Sequence, residues 1–333
     1  MTRAIVVTEK GAGGRLLEID DDEFFEGTGG DEAVDLEVLY SSVNYKDGMA
    51  LTGRPGVVRS WPLIPGIDIV GRVTGSRSPR FAEGDLVVLN GDGIGEDRHG
   101  GLADRARVRP DALVHLPSAF EAAPARAAAI GTAGFTSMIA VLALEDAGVR
   151  PEDGEILVTG AAGGVGSIAI SLLARRGYRV VASTGRAEEL GGYLEGLGAA
   201  RVIDRGPLGE EGRPLQSQAW AGAIDSVGSR TLANVLAQTN YGGTVVACGL
   251  AQGPDLPGTV LPFILRSVTL TGANSVEAPL PLRERAWTDL ARELDPEALD
   301  SLTTTVSLEG ALDVAPRILD GAVRGRTVVD LSL

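Results

Sequence analysis

The chain has a single cysteine, Cys248, in 333 residues. One thiol excludes an intramolecular disulfide, and such a composition predicts a reducing, cytoplasmic compartment. Histidine is almost as scarce, with His99 and His115 the two present. Zinc needs three or four N, S or O ligands in a tetrahedral array. One Cys and two His supply too few soft donors, so no metal site is predicted. Lysine is confined to Lys10 and Lys46; arginine supplies the other bases. Bases are outnumbered, 30 against 45 acids, for a net charge of −15. Nucleic acid needs a basic surface and is therefore excluded as a main partner. An anionic small molecule needs only a local basic pocket. No apolar run approaches the ~20 residues of a membrane span, so no membrane partner is expected. Met1–Val7 reads as a first strand and not as the core of a signal peptide. Low-complexity tracts and repeats of about 20–50 residues are absent.

What is present is the run I-L-V-T-G-A-A-G-G-V-G at Ile156–Gly166. Ile156–Val158 reads as a short buried strand, and Gly163, Gly164 and Gly166 make a tight turn. Ser167–Arg175 then follows with helical spacing. A strand, a glycine turn and a helix N-terminus present backbone N–H groups to a pyrophosphate. The spacing is A-x-G-x-x-G, with Ala161 in the first glycine place. A Walker loop would need a lysine after the last glycine, and Ser167 stands there. The next strand, Tyr178–Ala182, leads into Ser183-Thr184-Gly185-Arg186. An NAD-binding unit places a carboxylate at this point for the ribose 2′-OH, and here there is none. Two hydroxyls and a guanidinium suit a 2′-phosphate instead. The predicted cofactor is NADPH, held by Ala162, Gly163, Gly164 and Val165 at the pyrophosphate and by Ser183, Thr184, Gly185 and Arg186 at the phosphate.

The βα rhythm continues through strands at 223–227, 244–249 and 267–272, with a helix at 230–239 between the first two. Alternation of this kind predicts a doubly wound parallel sheet. The region before about residue 122 differs. Strand-like stretches at 3–7, 33–40, 69–74 and 85–89 are separated by glycine-rich turns, which reads as a β-rich domain. Helices at 282–294 and 309–319 and a strand at 326–331 close the chain. The expected organisation is α/β: a β-rich domain of residues 1–122 and 273–333, and a Rossmann domain of residues 123–272.

Several segments together resemble one family. They are S-S-V-N-Y-K-D at Ser41–Asp47, I-P-G-I-D at Ile64–Asp68 and H-G-G-L-A at His99–Ala103. I-G-T-A-G-F-T at Ile130–Thr136, A-L-E-D-A-G-V at Ala143–Val149, A-C-G-L-A at Ala247–Ala251 and P-F-I-L-R at Pro262–Arg266 complete the set. The set is similar to the AcuI/YhdH-type acryloyl-CoA reductases, a quinone-oxidoreductase-like branch of the medium-chain dehydrogenase/reductases. One departure is Asp104, where the family usually has Glu after H-G-G-L-A.

The resemblance implies a GroES-like catalytic domain, a homodimer and NADPH-dependent reduction of acryloyl-CoA to propanoyl-CoA, with an acyl-CoA as substrate partner. It places Asn44, Ile67 and Thr132 where zinc members carry their ligands. None of the three is a good zinc ligand, so a zinc-free site is expected. Tyr45 is expected beside the cofactor, as a contact or in proton transfer, against the alternative of a packing tyrosine. Asn44 is expected to orient the substrate carbonyl and Asp47 to hold the loop. The cofactor-binding set also takes in Tyr45, Thr132, Arg201, Leu250, Ile264, Ser275 and Arg326; for the two arginines a surface ion pair is the rival. Lys46 meets a CoA phosphate or is simply solvated. The glycine-rich loop Asn90–Gly101 is either a lid or a surface turn. Two other activities stay open: an NADPH:quinone oxidoreductase, and an NADPH-binding protein without turnover. The strand at 268–272 offers an edge that a second copy can pair with.

Overall fold

A computed structural model describes residues 1–333, the side chains of Asp22 and Glu23 excepted. The chain forms two compact units, Met1–Phe135 with Ser275–Leu333, and Thr136–Asn274.

In the first unit the hub is the strand Val34–Val43. Val34, Leu36 and Val38 are buried while Glu37 between them is exposed. That period of two is what a strand with one covered face requires. It pairs antiparallel with Asp68–Ser76, with Arg105–Val108 and with Arg326–Asp330. The sheet runs Thr303–Ser307, Arg326–Asp330, Val34–Val43, Asp68–Ser76, Leu86–Asn90, Val114–His115. The last strand of the chain thus returns to one of the earliest. Ile69, Val87, Leu89, Leu102, Leu113 and Val329 fill the core beneath.

The second unit is a six-stranded sheet in the order Ala199–Asp204, Arg179–Thr184, Glu155–Val158, Trp220–Asp225, Thr239–Ala247, Thr269–Gly272. Every pairing is parallel. Numbered from Glu155–Val158, this is the 3-2-1-4-5-6 order of a dinucleotide-binding sheet. The fold class is the one expected. Ile156, Leu157 and Val158 are fully buried, as is all of Trp220–Asp225, because helices cover both faces of the central strands. The strand Ala199–Asp204 was not foreseen. Its residues are mostly exposed or half-buried, so it lacks the apolar run that marks its neighbours.

The expectation about long apolar runs needs correction. The helix Ala125–Asp146 is long and apolar enough to cross a membrane by length and composition, and 89% of its apolar window is buried inside the protein. It is broken at Gly131, whose φ of 49° and ψ of −160° are not helical. The division between the two units falls within this helix.

Candidate active site

The glycine turn is shaped by close approaches. The helix Gly164–Arg175 starts after Gly163, which is extended at φ −80° and ψ 175°. Gly163 N donates to Gly160 O at 3.0 Å, closing the turn. The amides of Gly164 and Val165 are then the first of the helix, where N–H groups have no partner in the preceding turn. A Cβ on Gly166 would lie 2.5 Å from Gly160 O and 2.6 Å from Ala161 Cα, so only glycine lets the helix pack on the strand end. Ser167 is not aimed outward; its Oγ donates back to Gly163 O at 2.7 Å.

The strand Arg179–Thr184 ends beside this turn, with Ala161 N donating to Ser183 O at 3.2 Å. Ser183 is 1% exposed, and its Oγ has no hydrogen-bond partner among the described residues. A buried hydroxyl left without a protein partner is open to a hydrogen bond from an incoming group. Gly185 is exposed, and a second arginine lies on it: a Cβ there would be 2.6 Å from Arg205 Nε and 2.9 Å from its Cζ. No carboxylate among the described residues pairs with Arg205. Arg186 has a long 4.0 Å contact with Glu189. Two arginines and two hydroxyls thus lie at or beside this strand end, and Ser183–Arg186 itself carries no acid, a donor set that fits a phosphorylated ribose.

Arg205 was missed in the sequence; Arg201 was expected at the adenosine end of the cofactor, with a surface ion pair as the rival. The structure takes Arg201 out of this site. Its guanidinium pairs with Glu155 at 2.7 Å and lies over the Trp220 ring, 5.6 Å from the centroid. Glu155 opens its strand, so this contact is at the amino ends of the sheet. Nucleotides bind at the carboxyl ends.

In the first unit a buried polar network surrounds Asp68, which is 1% exposed. Its Oδ1 accepts from Thr132 N at 2.7 Å, Thr132 Oγ1 at 2.6 Å and Asn90 Nδ2 at 2.7 Å. Its Oδ2 accepts from Ser42 Oγ at 2.5 Å and Asn44 Nδ2 at 2.8 Å. Arg326, 3% exposed, lies 3.7 Å from Oδ2 and donates to Ala129 O, Asn44 Oδ1 and Ser42 Oγ. A Cβ on Gly131 would come within 2.5 Å of both Arg326 and Asp68 Oδ2, so only glycine fits at the break in the long helix. The zinc-ligand positions thus hold an amide and a hydroxyl already bonded to Asp68, with the apolar Ile67 between them in the chain. These side chains do not fit a zinc ion. No group of three or more His, Cys, Asp or Glu that could hold a metal is found among the described residues.

Asn44 precedes the helix Tyr45–Leu51, and Asp47 closes its first turn by accepting from Asn44 N at 2.8 Å and Ile67 N at 3.0 Å. Burial drives the Asp47 carboxyl up to about 7, with the charge of Asp68 adding to it. Asn44 is not available to a substrate carbonyl. Its amide nitrogen is within reach of Ser42, Asp47 and Asp68, and its oxygen accepts from Arg326. Tyr45, by contrast, is 47% exposed, and no partner among the described residues takes its hydroxyl. Lys46 is not simply solvated: Nζ forms a salt bridge with Glu96 Oε1 at 2.6 Å.

The loop Asn90–Gly101 is not a lid. Most of it is buried, Gly100 N and Gly101 N donate to Ile64 O and Gly66 O, and a Cβ on Gly95 would lie 2.9 Å from Gly66 N. Its glycines serve close packing. Leu250 and Ile264 are exposed apolar residues, at 62% and 67%. Ser275 is buried and its carbonyl accepts from Arg283. Cys248 donates to Asp225 O, and burial pushes its thiol up to about 12.

Two family descriptions match the chain: the alcohol dehydrogenase GroES-like domain over residues 30–118, and the zinc-binding dehydrogenase domain over residues 164–293. The "Probable acrylyl-CoA reductase AcuI" of Escherichia coli is 51% identical over 299 residues, spanning 90% of this chain and 91% of that protein. The "Acrylyl-CoA reductase AcuI" of Ruegeria pomeroyi is 47% identical over 300 residues, 90% of each. The crystal structure of E. coli K-12 YhdH with bound NADPH superimposes at a TM-score of 0.93 and 48% identity, over 98% of this chain and 99% of that one.

Proposed function

This chain belongs to the AcuI-type acrylyl-CoA reductases of the medium-chain dehydrogenase/reductase family, and on that premise we propose that it reduces the activated C=C of a short enoyl-CoA, acrylyl-CoA to propanoyl-CoA, with NADPH. The observation that carries the reading is near full-length identity of 47–51% to proteins named for that reaction. The acid-free strand end at Ser183–Arg186 supports the phosphorylated coenzyme.

Bound NADPH supplies the hydride that adds to the β-carbon. The chain's own residues bind, orient and deliver the proton. The first amides of the helix Gly164–Arg175, those of Gly164 and Val165, hold the pyrophosphate together with the helix N-terminus. Ser183, Thr184, Arg186 and Arg205 hold the 2′-phosphate. Leu250 and Ile264 give the nicotinamide an apolar border, and Ser275 lies with them in the cofactor-binding set. Tyr45, with its free phenol, hydrogen-bonds the developing enolate or passes the proton that reaches the α-carbon. Asn44 and Asp47 are positioning residues: they fix the first turn of the helix that carries Tyr45. Thr132 and Arg326 act in the same way through Asp68 and Asn44. No step runs through a metal, because the side chains at the zinc-ligand positions are bonded to Asp68 or are aliphatic.

A cytoplasmic homodimer completes the reading. The lone thiol supports the compartment. The edge strand Thr269–Gly272, with exposed Leu256, Val260 and Leu265 near it in sequence, supports the self-association. A net charge of −15 argues against nucleic acid.

The test is NADPH oxidation followed by absorbance with acrylyl-CoA, crotonyl-CoA and a benzoquinone. The expected order of kcat/KM has acrylyl-CoA first. A quinone rate far above both thioesters would make the chain a quinone oxidoreductase, and no oxidation with any acceptor would make it a binding protein.

A further inference from the structure

The carboxylate of Asp225 is 0% exposed and has no cation beside it among the described residues. A buried charge of that kind is costly unless its hydrogen bonds are complete. They are supplied from two directions. Oδ1 accepts from Thr159 Oγ1 at 2.6 Å, and Oδ2 accepts from Gly228 N at 2.7 Å. Burial still raises the Asp225 carboxyl above the usual range, with the Thr159 and backbone hydrogen bonds opposing it. Thr159 and Asp225 are the residues that follow the last paired positions, Val158 and Ile224, of the two central strands. These strands flank the point where the sheet order reverses, the crevice in which a dinucleotide binds.

The pair also fixes the loops around it. Thr159 Oγ1 accepts from Ser226 N at 3.1 Å, and Ser226 Oγ donates to Thr159 O at 3.0 Å. Ser226 is thereby clamped, and two glycines pack on it. A Cβ on Gly160, which opens the pyrophosphate turn, would strike Ser226 Oγ; a Cβ on Gly249, next to Leu250, would lie 2.5 Å from Ser226 O. We propose that Asp225 and Thr159 are positioning residues for the cofactor, a clasp across the two central strands that sets the spacing of the glycine turn and the Gly249 loop. Neither is assigned a contact with the coenzyme. The inference rests on NADPH being the cofactor.

The test is fluorescence titration of NADPH and NADH into the full chain, with kcat at saturating NADPH. Thr159→Val keeps the shape and removes the hydroxyl, leaving Asp225 Oδ1 and Ser226 N without their partner. As the turn and the Gly249 loop lose their spacing, it is expected to weaken NADPH about tenfold, or roughly 1.4 kcal/mol. NADH should weaken by the same factor, because the pyrophosphate is common to both coenzymes. Because the Gly249 loop leads into Leu250, kcat at saturating NADPH should fall as well, and Thr159→Ser should restore both binding and kcat to within about threefold of the wild type. Asp225→Asn is expected to fall between the two; if it does not fold, the threonine variants decide. A folded Thr159→Val that binds both coenzymes as the wild type does would overturn the proposal, and so would a loss confined to NADPH. A wild-type chain that binds neither coenzyme would overturn the cofactor reading instead.

Discussion

Removing the Arg205 guanidinium should separate the two nicotinamide coenzymes. Arg205 lies on Gly185 at the end of the strand Arg179–Thr184, with no carboxylate among the described residues to hold it elsewhere. A hydrogen bond to a charged group contributes about 1.5–3 kcal/mol net. Arg205 is exposed, so solvent and salt screen it, and the lower end of that range applies. About 1.5 kcal/mol is roughly a tenfold rise in the NADPH dissociation constant for Arg205→Ala. NADH carries no 2′-phosphate, and its affinity should stay within about twofold of the wild type. Arg186→Ala should act in the same sense. Arg201→Ala is the control: its salt bridge to Glu155 lies at the other end of the sheet and should leave both coenzymes untouched. Titrations at two ionic strengths add a check, since the NADPH loss should shrink as salt rises. Equal weakening of NADPH and NADH by Arg205→Ala would refute the assignment. So would a selective NADPH loss from Arg201→Ala with none from Arg205→Ala.

Three further outcomes follow from distances and burial. Gly166→Ala puts a Cβ against backbone at 2.5 Å and should lower stability by about 1–3 kcal/mol in denaturant unfolding, whereas Gly163→Ala meets only Gly160 O at 3.3 Å and should keep its stability while losing NADPH affinity. Tyr45→Phe leaves an exposed site without its hydroxyl; kcat should drop by about 10²-fold with the melting temperature unchanged, and an unchanged kcat would return Tyr45 to a packing role. Asp47 has a folded-state pKa raised to about 7, above its unfolded value, so its contribution is fully present below the unfolded pKa and is lost as pH rises to about 7. Unfolding of the wild type and Asp47→Asn across that window should show the difference shifting in favour of Asn as pH rises, and a flat difference would contradict the burial argument.

The glycine turn was legible because its logic is local: Gly160–Gly166 carries strand end, turn and helix start in one short segment. The residues proposed for the 2′-phosphate were half legible for the same reason. Ser183 to Arg186 are contiguous, whereas Arg205 reaches Gly185 only because the strand Ala199–Asp204 pairs beside Arg179–Thr184. Arg201 lies four residues earlier, about 13 Å along a strand, and its pair with Glu155 is the surface ion pair that the sequence left open as the rival reading. Asp68 was visible only as a letter in I-P-G-I-D. Its weight comes from partners drawn from four separate stretches of chain: Ser42 and Asn44, Asn90, Thr132 and Arg326. The glycines of Asn90–Gly101 were misread because a glycine that allows motion and one that allows close packing look alike until Gly66 is seen against them.

The contact between Arg326 and Asn44 joins residues 282 positions apart. On a ribosome that adds about 5–20 residues per second, Asn44 emerges tens of seconds before its guanidinium partner exists. Until then the strand Val34–Val43 has one edge open and Asp68 lacks its neighbouring cation. The segment from Thr136 to Asn274, uninterrupted in sequence, has no such wait. Biosynthesis should therefore complete the second unit first, and a nascent chain stalled before Arg326 should resist protease across the nucleotide-binding sheet while remaining cleavable in its amino-terminal third.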